Sequence, residues 1–565
     1  MRFWVPGVWP NKKPALMKQN YKLLLLLIMA LFSGYWCHGQ KYDRHWLGRG
    51  SLSYDTVVFM RFDEEGITYL PSNPKDIIFI NLGSFAMSDA KGDLQFYTNG
   101  NVVCSWDKHI MAGGKGFNQG SFFDDWDVND KDTMSNSDYI RYTYQVIPDG
   151  YDDQVYYMLH AFDEYYWFDL DGEAPTDDCG ILSSFKMQIS KIDMSANGGR
   201  GKVVYKNRII DNDTMGVTFA LVRHGNGKDW WLVLRSLDAL EYKALLLRRD
   251  SVVQVVPSKI PELRSDWFTC SDWGATTNLL YPSPEGSMLV DKYGRAYAKL
   301  MSFDRCSGEV TLIDTLYTGT KDIIDPTDGH VLNQDAYIRS FAFSPTGRFL
   351  YGSGDAEYAQ WDLQAEDIGA SKVTLGGIPW AVTEDQQSVI YGRMGSTIMA
   401  LGPDGKIYSL VNYWHSVIEH PDEKGEAAGI CLAPDNLPSC LGVPYDLFAV
   451  PKPNYRLGPL EGSPCDTIPD EPVPPEHPTG DYGLSVWPSP SSGPATVEIT
   501  LPDYSQGRAR IAIVDMLGRY LYSHTFPPYA YLHQLDVSDW AAGVYNILLL
   551  EGHDIKATAR LVVIR

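Results

Sequence analysis

The run Asp124-Asp125-Trp126-Asp127-Val128-Asn129-Asp130-Lys131-Asp132 sets three oxygen-bearing side chains, Asp125, Asp127 and Asn129, at alternate positions. That spacing can aim three oxygens at one calcium ion, the one cofactor the sequence suggests. An EF-hand would need Gly where Asp130 stands and Glu where Asn136 stands, so that motif fails. Two readings stay open, a looser calcium loop and a solvated acidic insertion. Asp169-Leu170-Asp171-Gly172 and Asp211-Asn212-Asp213 have the composition of ordinary turns.

Other chemistry is thin. The sequence holds no G-x-S-x-G elbow, no H-E-x-x-H pair and no Walker loop. Gly114-Lys115-Gly116 and Gly227-Lys228-Asp229 lack the hydroxyl that would hold magnesium. His224 beside Gly225 and His420 beside Pro421 stand at turn positions, so neither is assigned a catalytic role. The 71 Asp and Glu residues could supply an acid and base for glycoside cleavage, which depends on a separation in space that spacing does not set. Trp126, Trp167, Trp273 and Trp414 could stack on sugars or anchor a protein, although strands consume aromatics in any case. Of eight cysteines, seven follow residue 40, at 104, 179, 270, 306, 431, 440 and 465. Cys431 and Cys440 are the closest pair and the candidate disulfide, with buried thiols as the alternative; no C-x-x-C pair is present to hold zinc.

The elements that would position these residues follow from composition and periodicity. The chain has 565 residues and a formal charge of −23, with no basic patch, which excludes a nucleic-acid partner. Residues 1–39 read as a signal peptide: lysines at 12, 13, 18 and 22, the apolar run from Leu23 to Phe32, then small and polar residues. Met17 is an alternative start. The apolar run is too short to cross a bilayer as a helix, so no transmembrane anchor is expected. Six prolines in the linker 463–480 separate a long region, 41–460, from a C-terminal unit, 482–565. In the long region a turn with Gly precedes a β-prone run at Gly92, Gly150, Gly227, Gly286, Gly347 and Gly405, at intervals of 58, 77, 59, 61 and 58 residues. That period predicts a β-propeller of six to eight blades, seven by division, with an insertion in the 77-residue interval. An array of β-sandwiches or two smaller β domains are the alternatives.

Several segments then resemble a known family. Ser88-Asp89 to Gly100, His224 to Trp231, Phe343 to Tyr351 and Pro403 to Tyr408 are similar to secreted WD40-like propeller proteins of Gram-negative bacteria. The last 85 or so residues resemble the type A C-terminal sorting domain of type IX secretion cargo. The matching positions are Pro488, Pro490 and Gly493, then Asp515 and Gly518, then Gly543 and Tyr545, with Ser489 where Asn is usual. The resemblance implies a small β-sandwich that engages the secretion machinery and delivers the protein to the medium or the cell surface. The functional expectation is a non-catalytic propeller that recognises an extracellular protein or glycan. The alternative is a secreted polysaccharide hydrolase or lyase using carboxylates in the propeller channel.

Overall fold

The turns of the long region open hairpins. In a computed structural model of the chain, Gly92, Gly227, Gly286, Gly347 and Gly405 have φ between +70° and +93°. Each donates its N–H to the carbonyl three residues back, at 2.9–3.0 Å, which closes a tight turn that a Cβ would strain. Gly150 is required for another reason: a Cβ there would stand 2.3 Å from the Lys228 carbonyl oxygen of a neighbouring turn. The structure describes residues 41–466 and 482–565, apart from segments of which 73–83, 118–143, 168–179, 262–279 and 378–397 are the longest.

The described strands form four-stranded antiparallel units, each a sequential meander: 85–115, 144–211, 215–259, 280–317, 338–377 and 398–431. The units 85–115, 144–211 and 215–259 are linked at single residue pairs, Lys202 with Ala112 and Ser184 with Met215. One further unit is built from both ends of the region. Its strands His45–Gly50, Ser53–Asp63 and Gly66–Ser72 are completed by Tyr445–Phe448, which pairs Leu47 with Phe448 and Gly50 with Tyr445.

Burial falls from first strand to last. Phe85–Ser88 and Tyr144–Pro148 are wholly buried, whereas Ile110–Lys115 and Val310–Tyr317 mix buried and exposed residues. First strands are therefore buried on both faces, whereas last strands turn part of their surface to solvent.

Each unit also touches the next. Phe59 meets Tyr97 edge-on at 5.4 Å, and Phe96 meets Tyr156 at 5.3 Å. Trp230 Nε1 donates to Pro148 O at 3.3 Å. Arg235 Nη1 pairs with the fully buried Asp291 at 3.0 Å. Tyr281 meets Phe341 at 5.9 Å, Tyr358 Oη reaches Ser409 Oγ at 3.2 Å, and Tyr408 returns to Trp46 of the starting unit at 5.4 Å. The circuit closes on itself, which is a propeller-like arrangement. The surplus of the 77-residue interval lies in one long hairpin, Val155–Trp167 with Gly180–Asp193, paired along its whole length.

The C-terminal unit is a sandwich of a three-stranded and a four-stranded sheet. Val497 and Ile499 from one face, with Ile511, Ile513, Ile547, Leu549 and Leu561 from the other, make its separate core. All regular elements of the described residues are strands or short 3-10 turns, and no helix is long and apolar enough to cross a membrane. Residues 453–466 pack on the ring because Tyr455 and Cys465 are buried there, so the start of the proline-rich stretch belongs to the ring's surface.

Candidate functional site

Tyr445–Phe448 does not turn back into a second strand as the other first strands do. The chain instead runs on as a strap, residues 453–466, over the face where the glycine turns gather. Tyr455 is fully buried, donates to Val146 O at 2.7 Å and packs on Tyr42 and Trp230. Asn454 Nδ2 donates to Pro284 O at 2.6 Å, and the Leu460 N–H to Gly225 O at 2.7 Å. Arg456 forks onto both oxygens of Asp43 at 2.7 Å each, the bidentate geometry guanidinium and carboxylate favour. The strap thus ties turns from several units across one face.

Two cavities open among these turns, the first of them bordered by the strap. The first, about 250 Å³, is walled by Pro282, Pro284, Pro345, Pro403 and Pro453 with Trp46 behind them, and the Asp43–Arg456 pair also lines it. Pro284, Pro345 and Pro403 belong to the turns themselves, whereas Pro282 ends a strand and Pro453 lies in the strap, so the chemistry that shapes three of the hairpins also makes the wall apolar. The second, about 440 Å³, is polar and is lined by Tyr42, Asp149, Tyr151, Asp152, Asp153 and Arg223. Burial pulls the Arg223 guanidinium down to about 10, so it stays cationic at neutral pH. It lies 4.3 Å from the Trp230 ring and donates to Gly227 O and Lys228 O. Burial raises Asp149, against hydrogen bonds from Tyr157 Oη and the Tyr151 N–H, both 2.7 Å, that favour its charged form. Lys228 and Arg249 both lie over the Tyr151 ring, at 5.0 and 5.4 Å.

Asp125, Asp127 and Asn129, the expected calcium ligands, lie outside the described residues, as do Trp126 and Trp273 and the side chains of Trp167 and Trp414. Among the described residues no group of three or more His, Cys, Asp or Glu side chains converges to hold a metal ion. Cys431 is bonded to Cys440, and Cys306 to Cys465. His224 is buried in its turn, where Nδ1 accepts the Asn226 N–H at 3.0 Å. The strap was not legible as an element in the sequence, where residues 453–460 fall at the end of the long region 41–460 and 463–466 at the start of the linker, and its one signal there is an aromatic and a basic residue, Tyr455-Arg456.

In the C-terminal sandwich Pro488 and Pro490 are exposed after the strand Gly483–Trp487, and the Gly493 carbonyl accepts the Val537 N–H. Asp515 accepts the Arg519 N–H and pairs with its Nε at 2.9 and 2.7 Å, closing a turn in which Gly518 has φ +78°. Gly543 opens a strand in which Tyr545 Oη donates to Ala541 O and its ring meets Trp540. Residues 485–564 match the family described as the secretion system C-terminal sorting domain. The C-terminal unit is a type IX secretion sorting domain. It marks the protein for the medium or the cell surface and implies interaction with that machinery.

Two solved structures resemble the chain. PorZ, a surface component of the type-IX secretion system of Porphyromonas gingivalis, is 10% identical over 91% of this chain and 68% of its own, with a TM-score of 0.24. The extracellular domain of a hybrid two-component system protein from B. thetaiotaomicron is 11% identical over 91% of this chain and 62% of its own, at 0.26. At those TM-scores neither likeness bears on the fold or activity of this chain. No curated protein matches it.

Proposed function

We propose that the sorting domain delivers a recognition ring to the cell exterior, where the strap face binds an extracellular protein or glycan without chemical turnover. The observation that carries this reading is the pair of cavities among the turns, one walled largely by prolines, one lined by Arg223 and carboxylates. A rigid ring holding concave, partly polar sites on its turns is the arrangement by which scaffolds present binding surfaces. Asp149 supports it too, because both its oxygens already accept protein donors.

A second reading, hydrolysis or lysis of a polysaccharide, is favoured by one fact: a carboxyl raised by burial shares a cavity with a cation. Binding of residues 41–565 to arrays of glycans and surface proteins, with reducing-end release assayed on every polysaccharide bound, separates the two. Saturable binding with no product is expected. Product release that disappears in Asp149→Asn would replace the recognition reading with the enzymatic one.

A further inference from the structure

We infer that the strap is a redox-controlled latch, locked over the ring by the Cys306–Cys465 disulfide, which forms only after the chain has left a reducing cytoplasm, by exchange in which the two thiols give up two protons and two electrons to an external disulfide oxidant that is reduced to its dithiol. The timing rests on the export reading; the latch itself rests on how the ring closes. In the unit completed by Tyr445–Phe448 the first and second strands come from opposite ends of the region, so no covalent turn joins them. Arg456 and Asp43 bridge that gap by an ion pair, and the Arg456 side chain is 35% exposed, open to competition from water. The hold of the closing strand therefore depends on what keeps the rest of the strap down.

The far end supplies it. Arg305 Nη2 donates to Gly458 O at 2.7 Å, and its neighbour Cys306 is bonded to Cys465, 159 residues away. The ring reserves room for this bond: a Cβ on Gly225 would stand 2.1 Å from Cys465 Sγ and 3.0 Å from Cys306 Sγ. Linking positions so far apart removes much of the freedom the unlatched chain would regain, and such bonds persist outside the cytoplasm and not within it. The latch also governs the sorting domain, which hangs from its locked end. A backbone cut within 453–464 leaves that domain tethered to the ring while the bond is intact.

Between residues 453 and 507 Arg456 is the only Lys or Arg, so trypsin reads the strap at a single peptide bond. In purified 41–565, cleavage after Arg456 is expected to be at least about tenfold slower oxidised than after reduction, as for a segment that must open to be cut. The fragment starting at Leu457 should stay with the ring on a non-reducing gel and leave it on a reducing one. Cys306→Ser with Cys465→Ser should be cut at the reduced rate whatever the reductant, and Cys431→Ser with Cys440→Ser should keep the protection. If the first double variant does not fold, reduction of the wild type carries the comparison alone. Equal rates in oxidised and reduced wild type, or free thiols at 306 and 465 in protein recovered from outside the cell, overturn the latch.

Discussion

His160 lies in the strand Val155–Trp167 with no solvent contact, its Nε2 2.9 Å from Ser190 Oγ and its ring against Phe117. Burial holds this imidazole down to about 3, whereas in the unfolded chain it takes up a proton near pH 6.5. Between those values the unfolded state binds about one more proton than the folded one. Stability contributed by the neutral side chain is thus complete above pH 6.5 and falls, by up to ~1.4 kcal/mol per unit, as pH drops toward 3. Denaturant titrations of wild type and His160→Gln at pH 7 and pH 5 should show the wild type losing about 2 kcal/mol more than the variant; parallel losses would mean the imidazole is not held neutral. Side-chain roles of this kind are only partly visible in sequence. Cys431 and Cys440 stand nine residues apart and present themselves as a pair. Cys306 and Cys465, or Asp43 and Arg456 at a separation of 413, meet only because the ring brings distant turns together.

At the level of elements, the sequence speaks clearly where structure is local. A Ser-Pro-x-Gly or Asp-Gly turn followed by aromatics carries its own reason to form a hairpin, and five of the six counted turns close in the same way. Gly150 shares the composition but answers to a carbonyl from another unit, which no local pattern reveals. Gly150→Ala is therefore expected to cost about 3 kcal/mol through overpacking against backbone, measured as a shift of the ring's denaturant midpoint. Gly405→Ala, whose nearest neighbour would be at 3.8 Å, should cost only about 1 kcal/mol, from its positive φ. Equal costs would show that the Lys228 backbone gives way freely. The strap lacks any period or strand pattern, and its anchors, among them Val146 O, the Asp43 carboxylate and Cys306, lie far away in the chain, so it could not be read as an element.

Over the whole molecule, the sorting address and the ring are separate units. The ring has its own core running through Tyr42 and Tyr455, and the sandwich has another built on residues such as Ile513 and Ile547. The all-β class and the sorting address were both readable in the sequence, because turn spacing and the Asp515 to Gly518 and Gly543 to Tyr545 stretches are local signals. The cavities were not, since each draws on residues from several units. Removing residues 482–565 should leave the ring folded and strip it of its address. Surface labelling and fractionation of cells making the full and truncated chains, with trypsin protection of Arg456 as the check on ring folding, test this directly. The account predicts the full chain at the surface or in the medium and the truncated chain retained inside, equally protected at Arg456. Delivery of the truncated chain to the surface at the same level as the full one would contradict it.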